Sequence, residues 1–192
     1  MIKLNKEALT TIKDVDFVFE NSPVTIIANR NCPEIELAGA RVGPFEEGRE
    51  YDVKYWIAYQ LEKTGIAHIK EEQRLDIRKI NNVHWKESGI VHARQLSTLE
   101  EDFYPKLRRY LAGLKRGAIG NPEKIREYEK VMRMSQDIVN CRLRKIVSLS
   151  SSPAQTNHIL KDLAKEERLL YERLHSIILN WKSKILKGKD EP

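Results

Sequence analysis

Hydrophobic and polar positions follow two different periods along this chain. Over the first 70 residues the pattern is mixed. Val24-Thr25-Ile26-Ile27-Ala28 is a β-branched run bounded by Ser22-Pro23 and Asn29-Arg30-Asn31. Ile35-Glu36-Leu37 follows Pro33 and alternates with period two, so both segments are predicted as strands. Gly39, Gly43, Pro44 and Gly48 then punctuate a turn-rich stretch. Asp52 is placed to N-cap a helix beginning near Val53. Val53, Trp56, Ile57, Tyr59 or Gln60, and Leu61 share one face of it. Gly65 stops the helix as its C′ residue, and Ile66–Ile69 reads as a closing strand.

From about Glu71 the period becomes 3.6. A helix is predicted over Glu71–Asn81, after which Asn81, Asn82, Ser88 and Gly89 loosen the chain. Ser97-x-x-Glu100 and Thr98-x-x-Glu101 are overlapping capping-box patterns. Phe103, Leu107, Tyr110, Leu111 and Leu114 form an apolar stripe that ends at Gly117 and Gly120, with Pro105 suited to the first turn. A second long helix starts at Asn121-Pro122, with Ile125, Tyr128, Met132, Ser135, Val139, Leu143 and Ile146 as its stripe. A third starts at Ser152-Pro153, with Ile159, Leu163, Leu170, Leu174, Ile177, Trp181 and Ile185, a length of roughly 45 Å. The expected fold is α+β. A small β-rich domain with one main helix occupies residues 1–70, and an all-α domain with long helices occupies 71–192. The last stripe is wide: Leu169-Leu170, Leu174, Ile177-Ile178 and Trp181 exceed a single coiled-coil seam. It is read as a subunit interface carried by Leu170, Leu174, Ile177, Ile178 and Trp181, the alternative being that residues 71–117 fold back and cover it.

Composition narrows the class. The 192 residues are 41% hydrophobic and 32% charged, which argues against disorder and collagen-like repeats. No apolar run approaches the roughly 18 residues of a membrane helix. The N-terminal MIKLNKEALTTIKD lacks the apolar region of a signal peptide, so an intracellular protein without membrane contact is expected. Cys32 and Cys141 stand far apart, as incidental thiols do. The net charge of +6 is uneven: residues 1–80 hold 12 Lys/Arg against 14 Asp/Glu, and residues 81–192 hold 22 against 14. The second half therefore reads either as a solvated helical surface of Lys and Arg with interspersed Glu, which the acids in the same segments favour, or as a face for an acidic partner or nucleic acid. Lys106, Arg108, Arg109, Lys115 and Arg116 lie away from the leucine stripe. Arg142, Arg144 and Lys145 form a second cluster, and Lys182, Lys184, Lys187 and Lys189 a third. Lys106, Arg109, Lys115 and Arg116 are the candidate contacts to nucleic acid or an acidic partner.

A catalytic set is not visible. His68, His84, His92, His158 and His175 form no HxH, HxxxH or HExxH pair. The carboxylate pairs Glu46-Glu47, Glu71-Glu72, Glu100-Glu101 and Glu166-Glu167 each lie beside a cap, a turn or a basic neighbour. There is no GxxxxGK[ST] or GxGxxG loop, and the Ser148–Ser152 run lacks GxSxG. No catalytic, metal or cofactor residue is assigned. His84-Trp85 can stack on a base or ligand, or serve as a packing anchor.

The stretch IELAGARVGPFEEGREYDVKYWIAYQLEKTGIAHI (Ile35 to Ile69) resembles the small domain of the GINS replication proteins. In that family a GPF-type turn precedes a helix with an early Trp and a closing Leu; here these are Gly43-Pro44-Phe45, Trp56 and Leu61. Phe45 and Trp56 are read as the plug of the small domain. DFYPKLRRYLAGL (Asp102 to Leu114) and RLRKIVSLSSS (Arg142 to Ser152) resemble the family's helical domain. The order, small domain first, resembles one of the two circularly permuted GINS types, and the Lys/Glu/Ile-rich composition an archaeal thermophile. Asp52-Val53 stands where many members carry Leu-Pro. The resemblance implies a non-catalytic subunit of a GINS tetramer, paired two plus two with a sister subunit. It would scaffold the MCM helicase and a RecJ-like or Cdc45-like protein, with primase or polymerase as further partners. DNA contact would be weak or indirect. The implied place is the cytoplasm at the nucleoid, or the nucleus in a eukaryote. The alternative is a basic helical module that binds DNA without a GINS-type assembly.

Overall fold

The computed structural model describes residues 12–90, 95–152 and 159–186. The chain divides into two compact units, Met1–Arg74 and Leu75–Pro192. The first opens with helix α1 (12–20). There follow β1 (Pro23–Ala28), β2 (Ile35–Leu37), β3 (Ala40–Val42), β4 (Glu50–Lys54), helix α2 (Tyr55–Lys63) and β5 (Ala67–Ile69). β1 is the central strand of an antiparallel sheet ordered β4-β1-β5, with Ile26 opposite both Tyr51 and Ile69. β2 and β3 form a separate hairpin. Its two linking residues, Ala38 and Gly39, both have positive φ, as the favoured two-residue hairpin turn demands. Alternation in β1 sends Val24, Ile26 and Ala28 into a core with Phe45, Ile57, Ala58 and Leu61. Each large side chain so buried contributes roughly 1.5–3 kcal/mol.

The second unit is helical: α3 (Ile77–Gly89), α4 (Phe103–Gly117), α5 (Pro122–Ser150) and α6 (Lys165–Leu186). α5 is the central element and touches α3, α4 and α6. Its N-terminal half packs Val131 and Ile138 with Ile80, Phe103 and Leu107. Its C-terminal half packs Ile146 and Leu149 with Leu163 and Tyr171. α5 and α6 run parallel. Glu167 meets Arg142 and His175 meets Ser150, each pair 25 residues apart in sequence, so residue numbers rise together along the two helices.

This is the expected α+β architecture, with differences in its elements. Asp52 caps nothing: it lies in β4, accepts from the Thr25 hydroxyl at 2.8 Å, and the helix starts three residues later. β3 lies within the turn-rich stretch and β4 directly after it; three and five residues are too short to give a long alternating run. Gly65 follows α2 at φ 68° as its C′ residue. The helix expected over Glu71–Asn81 is a short 3-10 turn, Glu71–Gln73, followed by α3. The real cap is Asp76, whose carboxylate accepts from Lys79 N at 2.7 Å, and Asn81, Asn82, Ser88 and Gly89 are helical. Ser97 and Thr98 cap nothing either; they bond Glu87 and Asp162, and α4 begins at Phe103. Asn121 does cap α5, accepting from Glu123 N and Lys124 N. The third long helix is 22 residues. It starts at Lys165, after a 3-10 turn over Ile159–Asp162, and spans roughly 33 Å. Pro153, His92, His158, Lys187, Lys189 and the Ile159 side chain fall outside the described residues.

A candidate partner interface on the helical unit

The face that α5 turns to the core is set by a charged residue. Arg142 is fully buried, in phase with Ser135, Ile138, Ile146 and Leu149. Its guanidinium donates to Glu167 Oε1 at 2.5 Å, Glu167 Oε2 at 2.6 Å and Glu87 Oε1 at 2.7 Å. It also donates to the Ser97 and Asp162 carbonyls at 2.7 and 2.9 Å. Lys145 Nζ donates to Glu87 Oε2 at 2.7 Å, and Tyr104 donates its hydroxyl to Glu167 at 2.6 Å. Two cations thus meet two carboxylates, and every arm of the guanidinium is spent, which is the condition for burying such a group. Burial alone pushes the Glu87 carboxyl up. Hydrogen bonds from Lys145 and Ser97 and the charge of Arg142 outweigh it and hold the group below its usual value. Burial and the neighbouring Glu167 push the Tyr104 phenol well up, so it remains a donor.

This orientation displaces the expected α5 stripe. Val131, Met134, Ile138 and Ile146 are buried, while Ile125, Val139, Leu143 and Val147 are exposed. Arg142 and Lys145, read as a surface cluster, belong to the core instead. Sequence reasoning missed the set because Glu87 lies 55 residues from Arg142. The available signal was a cation in phase with an aliphatic stripe.

Part of the exposed apolar surface of α5 and of α6 lies on one side of the pair. Arg142, Ile146 and Ser150 face α6, and Leu143 and Val147 lie about a quarter-turn beyond them. Glu167, Tyr171 and His175 face α5, and Leu170 and Ile177 lie about a quarter-turn the other way. Because the helices are parallel, both sets emerge on one side of the pair. α6 then outruns its neighbour. Ser150, the last residue of α5, is level with His175, so residues 176–186 project about three turns, roughly 16 Å, past it. There Ile177, Leu179, Trp181, Ile185 and Leu186 are exposed, Trp181 by 61% and Leu186 by 82%. Lys182 is tied back to the Ser151 carbonyl at 3.0 Å. Of the residues read as an interface, Leu170, Ile177 and Trp181 are exposed, Ile178 is half-buried, and Leu174 packs on the Ile146–Tyr171 core.

The basic residues of α4 divide. Lys106 is half-buried against Glu100 and Asp102, at 2.8 and 3.1 Å. Burial lowers its pKa, but the two carboxylates raise it further. Arg108 pairs with Glu166 at 2.9 Å and Arg109 donates to the Pro105 carbonyl. Lys115 and Arg116, in the last turn, are exposed. In the first unit Phe45 is buried, edge-on to Tyr51 with ring centres 5.1 Å apart, and Trp56 is half-buried on the same core. Among the described residues no group of His, Cys, Asp and Glu is placed to hold a metal, and no helix is long and apolar enough to cross a membrane.

Two family models match the chain. A family described as the PSF2 N-terminal domain matches residues 11–70. One described as the GINS complex protein helical bundle domain matches residues 71–186. The human DNA replication complex GINS protein PSF2 is 25% identical over 134 residues, covering 69% of this chain and 67% of that protein. The Xenopus laevis protein of the same name is 22% identical with the same coverage.

Proposed function

The chain belongs to the GINS complex protein family, and from that premise we propose that it is a non-catalytic, PSF2-type subunit of a DNA replication complex. In that role it works at the chromosome, holds other GINS subunits, and has no ATPase, nuclease or helicase activity of its own. The observation that carries the reading is the α5–α6 apolar face with its overhang. A three-turn stretch that, among the described residues, exposes apolar side chains around its circumference exceeds what a monomer needs to expose. A sister GINS subunit covers it, in a two-plus-two tetramer. The small unit, with its own core around Phe45, offers a separate surface to the MCM helicase or a RecJ-like or Cdc45-like protein. The rival reading, a basic module acting alone on DNA, is weakened because Arg142, Lys145 and Lys106 are spent on internal carboxylates.

Co-expression with a sister GINS subunit, followed by size exclusion with light scattering, tests the proposal. A stoichiometric complex without ATPase activity is expected. Separate elution of the two chains at micromolar concentration would sink it.

A further inference from the structure

The opposite flank of α5 carries different chemistry. α3 also runs parallel to α5, since His84 meets Asp137 and Glu87 meets Arg142 and Lys145. Between the two helices lies an open groove of about 530 Å³ whose lining includes His84, Ser88, Asn140 and Arg144. Beside it on α3 stands Trp85, 76% exposed. One turn either side of Trp85 are Asn81 and Asn82, and Ser88 and Gly89, all exposed. Arg144 uses Nε on the Asn140 carbonyl at 3.3 Å. Arg133, about three turns earlier on the same face of α5, and Lys86, next to Trp85, are also exposed. The acid in the groove, Asp137, lies 3.4 Å from His84 Nε2.

Among the described residues, an indole this open, ringed one helical turn to either side by amides, a hydroxyl and a glycine, with Ile90 and Cys141 only in the adjoining groove, lacks the apolar surround that makes a tryptophan a protein–protein anchor. The same surroundings suit a nucleobase, which stacks on the ring and turns its polar edge to amides, while cations take the phosphates. We propose that the α3–α5 face binds a short single-stranded nucleic acid segment. Trp85 is the stacking platform, Arg144 and Arg133 are the phosphate contacts, and Asn81 and Asn140 face the base edge. This site goes beyond the subunit role and lies on the flank of α5 away from the α6 face.

Fluorescence anisotropy of the full chain with labelled dT20 and rU20, across a salt series, tests it. Affinity is expected to fall steeply with salt. Trp85→Ala is expected to weaken binding about tenfold, the loss of one stacked base, and Trp85→Phe to restore most of it. Arg144→Ala is expected to flatten the salt slope by about 0.7, one single-strand phosphate. Unchanged affinity in Trp85→Ala, or no binding by the parent chain, overturns the proposal. Co-elution of Trp85→Ala with the sister subunit is measured in parallel and is expected to be normal. Loss of that complex would make this face a subunit contact and overturn the nucleic-acid site, while leaving the subunit role intact.

Discussion

Arg142 shows how one side chain governs its surroundings. Its charge is tolerated in the core because Glu87 and Glu167 reach it from α3 and α6. Taking away one partner of such a set costs about 3–5 kcal/mol, since the others stay buried without compensation. Arg142→Met is therefore expected to lower the unfolding free energy by that amount at neutral pH, read by denaturant titration. The same titration repeated against pH reports Glu87. Its folded-state pKa lies below its unfolded value, near 4.5. The carboxylate's contribution is thus complete above that pH and drains as acid carries the solution through the folded value. A helical unit whose stability is flat down to pH 2 would contradict the network. The residues near Arg142 give its phase with Ile138 and Ile146, but not its partners. A cation in sequence is read as surface because pairing partners 25 and 55 residues away are invisible to local pattern.

Among elements, helices with strong local signals are the legible ones. α5 begins where its Asn-Pro cap places it, and α2 ends where Gly65 does. Legibility fails where a tertiary contact decides. The α5 stripe is rotated by its ion pairs. Ser97 and Thr98 carry capping-box chemistry yet spend it on Glu87 and Asp162. β4 takes Asp52 from a cap into a sheet because Thr25 pairs with it. α6 offers the sharpest test at this scale, because neighbouring apolar residues of one stripe have different surroundings. Leu174 packs in the core, whereas Trp181 stands on the overhang. Leu174→Glu is expected to lower the melting temperature of the isolated chain, since burying a charge there costs several kcal/mol. Trp181→Glu is expected to leave that temperature within a degree or two and to abolish co-elution with the sister subunit. Equal melting losses in both would place Trp181 in the chain's own core.

At the scale of the whole molecule the sequence changes near Ile69, where a mixed pattern of short strands and one helix gives way to a sustained repeat of 3.6. The compact units part at Arg74/Leu75, and each has its own buried cluster. We propose that the units are separable. A chain beginning at Leu75 is expected to keep its helical circular dichroism and its complex with the sister subunit. Phe45→Ala in the full chain is expected to cost about 3–5 kcal/mol, enough to melt the small unit while the helices persist. Aggregation of the shortened chain would show instead that the two units fold as one.

The Arg142 set also limits how such a protein can change over evolutionary time. Exchanging Arg142, Lys145, Glu87 and Glu167 together for aliphatic residues, with Tyr104 made Phe, leaves a core of comparable stability, by the general behaviour of buried ion pairs. Exchanging any one of them strands the rest. The route from a charged core to an oily one therefore passes through intermediates that each leave a buried charge uncompensated, so no single substitution at Arg142 is a neutral step.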